Sequence, residues 1–251
     1  MNHQGGDKSF WRNERVRNYD RQQSLLSEKK EDMLENITRI VNYLVRQNSI
    51  KEPTMLDIGC GPGSPMTLSN WLLEKMTNSI VIGVDSSEQM VGAANEELSA
   101  KYPARFIAYE GDFNSDSFWN PAIDRKYDLI VSSAALHYLS DARRIPFFNE
   151  VFNHLKASGA FVCSLGNNSA VPIVAEMSSV FRAEFTYRRL SEDRRPGDFA
   201  RFRESFDETD RKANINWQPM DEWIRCLKAA GFRQSDVVWH LWVKSIFVAF
   251  P

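Results

Sequence analysis

The sequence predicts an α/β protein, a doubly wound and mostly parallel sheet with helices on both faces. Three observations carry this prediction. Short apolar runs alternate with segments of helical periodicity, the pattern of βαβ units joined by right-handed crossovers. The first run closes on a glycine-rich turn, Asp57-Ile58-Gly59-Cys60-Gly61-Pro62-Gly63. The 251 residues are 43% hydrophobic and 25% charged, a globular composition with chain enough for a large core.

The elements follow in order. From about Ser27 the pattern is helical, with Met33, Ile37, Ile40, Val41 and Leu44 on one face. Pro53 marks a boundary, and Thr54–Ile58 reads as a buried strand. Residues 65–76 read as a helix, Ile80–Val84 as a second strand and Glu88–Leu98 as the next helix. Residues 105–113, RFIAYEGDF, give a third strand and a turn, and Leu129–Ser132 gives a fourth. The segment 146–159 reads as a helix stopped at Ser158-Gly159, and 160–165 as a fifth strand. Residues 167–218 break the rhythm with an Arg-rich, salt-bridged helical pattern. Asp221–Ala230 is a helix ending at Gly231, followed by apolar runs Ser235–Trp239 and Ser245–Phe250. The expected layout is one domain: an N-terminal lid segment (1–30), a core (31–166), a lid or substrate insertion (167–218), and a closing helix with strands (219–251).

Composition narrows the function classes. The 31 Lys and Arg against 33 Asp and Glu leave a net charge of -2, so no global basic field attracts nucleic acid or anionic membrane. Three cysteines, Cys60, Cys163 and Cys226, lack the spacing of a disulfide framework or zinc cluster. No metal site is expected. The polar N-terminus does not resemble a secretory signal, and no apolar run reaches spanning length, so a cytoplasmic protein is expected.

The glycine turn carries the chemistry. Its spacing is G-x-G-x-G, shorter than a dinucleotide fingerprint, and it lacks the Lys and Ser/Thr of a P-loop. Asp57 repels a pyrophosphate and suits an ammonium group, so the ligand is expected to carry an amine near this loop. Asp85, ending the second strand, is placed to accept from ribose hydroxyls. Asp112, after Gly111, is placed to accept from an exocyclic amine, with Phe113 against a purine ring. Cys60 reads as a small buried residue, not a nucleophile.

These motifs resemble the class I S-adenosylmethionine-dependent methyltransferases. DIGCGPG is similar to that family's first motif, VIGVDSS to its second, EGDF to its third and YDLIVSSAALHYL to its fourth. LKASGAFV resembles the turn into strand five, and the similarity covers about residues 30–166. The resemblance implies a Rossmann-like seven-stranded sheet with an antiparallel last strand, closed by the C-terminal hairpin. It implies S-adenosyl-L-methionine as cofactor, held by Tyr19, Asp57, Gly59, Cys60, Gly61, Gly63, Asp85, Ser86, Met90, Asp112, Phe113 and Ser133. Tyr19, beside Asp20, is expected to fold over it.

His137 follows the fourth strand, where the resemblance places the acceptor, and is the candidate base. Contact without proton transfer is the alternative. Tyr138 and His154 read as structural, and His240 has the reach for the pocket. Phe10, Trp11, Arg12, Arg15 and Arg17 are candidate lid anchors, and Phe181, Phe185 and Tyr187 give the insertion an apolar face, set either against the pocket or into lid packing without substrate contact. After strand four the chain has Ser-Ser-Ala-Ala where nucleic-acid amino-methylases carry Asn/Asp-Pro-Pro-aromatic. A small-molecule acceptor is therefore expected and nucleic acid disfavoured. The arginines of 182–203, interrupted by Glu184, Glu192, Asp193 and Asp198, suit a carboxylate or phosphate on that substrate. RNA or protein methylation, a cofactor-binding scaffold and non-methylating use of the cofactor are the rival classes.

Overall fold

The computed structural model describes residues 16, 18–190, 197–213, 215 and 217–251, without the side chains of 210 and 213. The expected lid anchors Phe10, Trp11, Arg12, Arg15 and Arg17, and the acids Glu192 and Asp193, lie outside the described residues. The strands are β1 Thr54–Ile58, β2 Ile80–Asp85, β3 Phe106–Glu110, β4 Tyr127–Ser133, β5 Leu155–Gly166, β6 Gln234–Leu241 and β7 Lys244–Phe250. The helices are α1 Tyr19–Leu26, α2 Lys30–Gln47, α3 Leu68–Lys75, α4 Glu88–Ala94, α5 Asp141–His154, α6 Pro172–Arg189, α7 Phe199–Ala213 and α8 Met220–Ala229. The helix of α4 runs on as a π-turn, Asn95–Ser99.

All seven strands form one sheet in the order β3-β2-β1-β4-β5-β7-β6. Strands β1 to β5 pair in parallel, and β7 runs antiparallel to both β5 and β6. The strand order reverses between β1 and β4, where open α/β sheets bind ligands at their carboxyl edge. Because β7 is antiparallel, its first residue, Lys244, pairs with Gly166 at that same edge.

Period-two alternation divides the core. Leu56, Ile58, Ile82, Val84 and Ile130 face one way, packing with Phe147 and Phe148 of α5 and Trp223 of α8. Met55, Val81, Leu129 and Val131 face the other, packing with Met33, Leu34, Ile37 and Val41 of α2. Strands buried on both faces explain the continuous apolar runs in the sequence. Residues of the 167–218 insertion form a small separate cluster in which Ala183 of α6 meets Phe202 and Phe206 of α7.

One segment differs from its sequence reading. Helix α5 starts five residues earlier than expected, at Asp141, with Pro146 inside it, and ends at His154. Residues 156–159 are not its last turn but part of β5. The register passes from Tyr127↔Leu155 to Leu129↔Ala160, so these four residues bulge opposite Asp128. Lys156 Nζ holds the bulge by donating to both Asp128 carboxylate oxygens at 2.9 Å. Gly159 is required there because a Cβ would lie 2.9 Å from the Asp128 carbonyl oxygen. The glycine read as a helix stop thus serves a strand bulge.

Candidate active site

The loop after β1 is shaped by backbone. Gly59 N–H and Cys60 N–H both donate to the Val84 carbonyl, at 2.7 and 3.0 Å. Gly59, Gly61 and Gly63 all have positive φ, near 70°, which glycine adopts without steric cost. At Gly59 a Cβ would fall 2.2 Å from Ala135 Cβ. Gly61 N–H donates to Asp85 Oδ2 at 3.0 Å, and Ser87 N–H to Asp85 Oδ1 at 3.0 Å. Burial pushes the Asp85 carboxyl up, against the pull of these N–H donors. Helix α1 clamps the loop from outside. Asp20 Oδ1 accepts from Ser64 Oγ at 2.5 Å and from Met66 N–H at 3.3 Å. This places the Tyr19 hydroxyl 3.7 Å from the Cβ position of Gly61.

A cavity of about 550 Å³ opens beside this loop, within the range of small-molecule sites. Its lining includes Tyr19, Gly59, Gly61, Asp85, Ser86, Met90, Asp112, Phe113, Ser133 and His137 of the expected set. Asp57, Cys60 and Gly63 are not brought to the cavity wall. Asp57 is fully buried and accepts from Ser69 Oγ at 2.6 Å, while its Oδ1 has no hydrogen-bond partner. Burial raises the Asp57 carboxyl to about 6, opposed by Ser69 and the buried Lys30. The expected direct pairing of Asp57 with a ligand ammonium therefore lacks a path. Cys60 is buried, and burial pushes its thiol up, which keeps it protonated. The Cβ position of Gly63 meets Leu98 and Ala94, so that glycine serves loop-to-helix packing.

The opposite side of the cavity carries cations and aromatics. Arg182 of α6 lies over the Trp217 ring at 4.7 Å and over Phe206 at 5.3 Å. Lys244 Nζ donates to the Glu28 carbonyl at 3.1 Å. Burial, then Lys30 and Arg182, pulls the Lys244 amine down to about 7. Lys30, behind the wall, donates to Ser133 Oγ at 3.1 Å and is pulled down to about 8 by burial.

His137 lies between these sides, and its surroundings do not suit a base. Its Nδ1 accepts from Gly166 N–H at 3.2 Å, which leaves the proton of the neutral ring on Nε2. Burial first, then Lys30, Arg182 and Lys244, pushes the ring down to about 3. Its ring lies parallel to Trp217, with centroids 6.4 Å apart. The imidazole is thus a neutral Nε2–H donor with low basicity.

Of the two readings for Phe181, Phe185 and Tyr187, packing away from the cavity is the one seen: Phe181 packs on Trp242, Phe185 under Arg189, and Tyr187 on Phe199 and Phe202. The insertion instead presents Arg182, Thr186, Phe206 and Trp217. His240 bonds Ser245 Oγ at 2.9 Å, away from the lining, while His154, read as structural, stacks on Trp119. Tyr138, read as structural, does line the cavity. Lys244 and Trp217 were missed by sequence reasoning. Lys244 had a signal, since the first residue of an antiparallel last strand returns to the carboxyl edge. Among the described residues, no group of three or more His, Cys, Asp or Glu is placed to hold a metal ion, and no helix is long and apolar enough to cross a membrane.

Residues 55–159 match the family described as methyltransferase domain. The chain is 30% identical over 139 residues to malonyl-[acyl-carrier protein] O-methyltransferase 1 of Ilyobacter polytropus, covering 55% of this chain and 47% of the relative. It is 31% identical over 120 residues to trans-aconitate 2-methyltransferase of an Azoarcus species, covering 47% and 41%. The chain thus spans less than half the length of these curated relatives. Human N-acetylserotonin methyltransferase, solved in complex with SAM, shares the fold with a TM-score of 0.56 at 15% identity, over 98% of this chain and 56% of that one. Strand order, the glycine turn with Asp85 at its back and the domain match converge: residues 55–159 resemble a methyltransferase domain, and the chain has the fold of the solved methyltransferases.

Proposed function

We propose that the chain transfers a methyl group from S-adenosyl-L-methionine to a small-molecule acceptor. The observation that carries this is a cavity whose acidic side meets a cationic, aromatic side across His137 and Ser133. The names of the two curated relatives, which act on malonyl-[acyl-carrier protein] and trans-aconitate, support the class of reaction.

The residues fit the cofactor. Gly59 and Gly61 open backbone without side chains onto the cavity, and Asp85 and Asp112 stand at successive strand ends. Asp85 would accept from ribose hydroxyls, Asp112 from the adenine amine, and Phe113 would flank the ring. Tyr19 would cover the methionine end, while Ser86 and Met90 complete the ribose and adenine walls. Asp57, Cys60 and Gly63 would act indirectly, by holding the loop in shape. When bound, the cofactor supplies a sulfonium methyl whose leaving group is a neutral thioether. The protein's task is to align the acceptor in line with that methyl and to exclude water. His137 would position the acceptor through Nε2–H, not abstract a proton. Helices α6 and α7, together with α1, would serve as the lid. The three free cysteines support a reducing, cytoplasmic setting.

Arg188 pairs with Glu184, and Arg203 with Asp207 and Glu176. Such local pairing weakens the case for a phosphate-tracking surface, as RNA binding requires. The test incubates protein, an extract of the source organism and cofactor labelled in the methyl group. Label in the low-mass fraction is the expected result. Label in RNA or protein would overturn the small-molecule reading, and no binding of S-adenosylhomocysteine would overturn the activity itself.

A further inference from the structure

We infer that Lys244 is the general base of the proposed transfer, taking the proton of an acceptor hydroxyl that His137 holds in place through Nε2–H. This rests on the methyltransferase reading and names the group that performs its proton step.

Position comes first. Lys244 opens the antiparallel strand β7, and its register partner is Gly166 at the carboxyl edge of β5. Gly166 N–H donates to His137 Nδ1 at 3.2 Å, and a Cβ on Gly166 would lie 3.4 Å from the His137 ring. One backbone residue therefore fixes both the start of β7 and the imidazole. Lys244, Gly166, His137 and Ser133 all line the cavity. Lys244 Nζ donates to the Glu28 carbonyl at 3.1 Å, and among the described residues this is its one hydrogen-bond partner. That carbonyl occupies one N–H. A neutral amine keeps a second N–H and a lone pair for a group in the cavity.

The surroundings hold the amine ready to accept a proton. Burial is the largest cause, followed by Lys30 of α2 and Arg182 of α6, with Glu28 from the turn before α2 acting the other way. Lys30 is itself buried and donates to Ser133 Oγ at 3.1 Å. The result is an amine held at about 7, close to the operating pH that suits a base. His137, neutral and held near 3, donates and does not compete for the proton. In the step, an acceptor oxygen lone pair bonds to the methyl carbon and the S–CH3 bond breaks, its electron pair going to sulfur. The hydroxyl proton passes to Lys244 Nζ, and the ammonium so formed returns it to water after the product leaves. A carboxylate nucleophile is already ionised at neutral pH and needs no base, so an amine poised here suits a hydroxyl.

The experiment measures transfer of labelled methyl into the extract between pH 6 and 8 for the wild type, Lys244→Ala and Lys244→Met. The wild-type rate is expected to climb with pH and to level off above about 7. Both variants are expected to be about a hundredfold slower and to lack the climb, with S-adenosylhomocysteine affinity within about twofold. Methylamine in the buffer is expected to restore Lys244→Ala about tenfold, which a merely structural side chain would not allow. The transferred label is expected to resist alkali, as a methyl ether does. A readout independent of turnover is competitive acetylation of the S-adenosylhomocysteine-loaded protein, followed by peptide mass spectrometry. It is expected to place the Lys244 titration below that of the exposed lysines. Label released by alkali as from a methyl ester, a pH climb that survives in Lys244→Met, no rescue of a folded Lys244→Ala, or an ordinary lysine titration would each overturn the inference. If Lys244→Ala loses its fold, Lys244→Met decides. Failure to bind S-adenosylhomocysteine, or no transfer by the wild type to any fraction, would instead overturn the methyltransferase reading.

Discussion

The side of the cavity over β1, β2 and β3 is built from backbone, and the side under α6 and β7 from side chains. In the first, positive-φ glycines and the N–H donors of Gly61 and Ser87 fix where Asp85 sits. In the second, Arg182, Trp217 and Lys244 come from three distant segments and meet through stacking and packing. A backbone-built site tolerates little change, because a loop has few conformations. A side-chain-built site changes its specificity by single substitutions and keeps its fold. The proposed methyl transfer, with one fixed cofactor and a separate acceptor, calls for those two kinds of construction.

Breaking the backbone-built side gives the largest effect. Gly59→Val forces a β-branched residue to φ +74° and into Ala135. The expected cost is about 3 kcal/mol of stability with loss of S-adenosylhomocysteine binding, read by thermal unfolding and calorimetry. Asp112→Ala removes a carboxylate that also accepts from Asn114 N–H at 3.0 Å, so cofactor affinity is expected to fall about tenfold with a melting temperature a few degrees lower.

The side-chain-built side is expected to respond to pH. Lys244 is held at about 7 by burial, Lys30 and Arg182, with Glu28 acting the other way. As pH rises through 7 the ammonium is lost, so binding of a small anionic probe such as acetate at that side is expected to weaken about fivefold between pH 6 and 8. Lys244→Met flattens that dependence. His137 gives the smallest effect. With its ring held near 3, it stays neutral across that range. His137→Gln retains an N–H donor and is expected to lower kcat by about threefold or less, with no lost inflection near pH 6.5. A large drop with a vanished inflection would restore the base.

The same contrast governs what was legible in the sequence. Strands β1, β2 and β4 and the glycine loop could be read because apolar runs and glycine spacing are local signals. Asp85 and Asp112 followed from their places at strand ends. Asp57 misled, since its proximity in sequence to the loop says nothing about which way a fully buried carboxylate faces. Gly159 misled because a helix stop and a bulge use glycine alike. Composition left open whether Phe181, Phe185 and Tyr187 face the pocket or the lid; the face that α6 turns to the cavity carries Arg182 and Thr186. Trp217 reaches the site through the pairing of Asn167 with Gln218, a contact between residues 51 positions apart that no local pattern encodes.

The most direct test of a cavity divided in this way is calorimetric titration of S-adenosylhomocysteine into the wild type, Asp85→Ala and Lys244→Met. The expected result is an affinity lost by about thirtyfold or more in Asp85→Ala, which also frees Gly61 N–H, and retained within about twofold in Lys244→Met. Equal loss in both variants, or full affinity in Asp85→Ala, would contradict it.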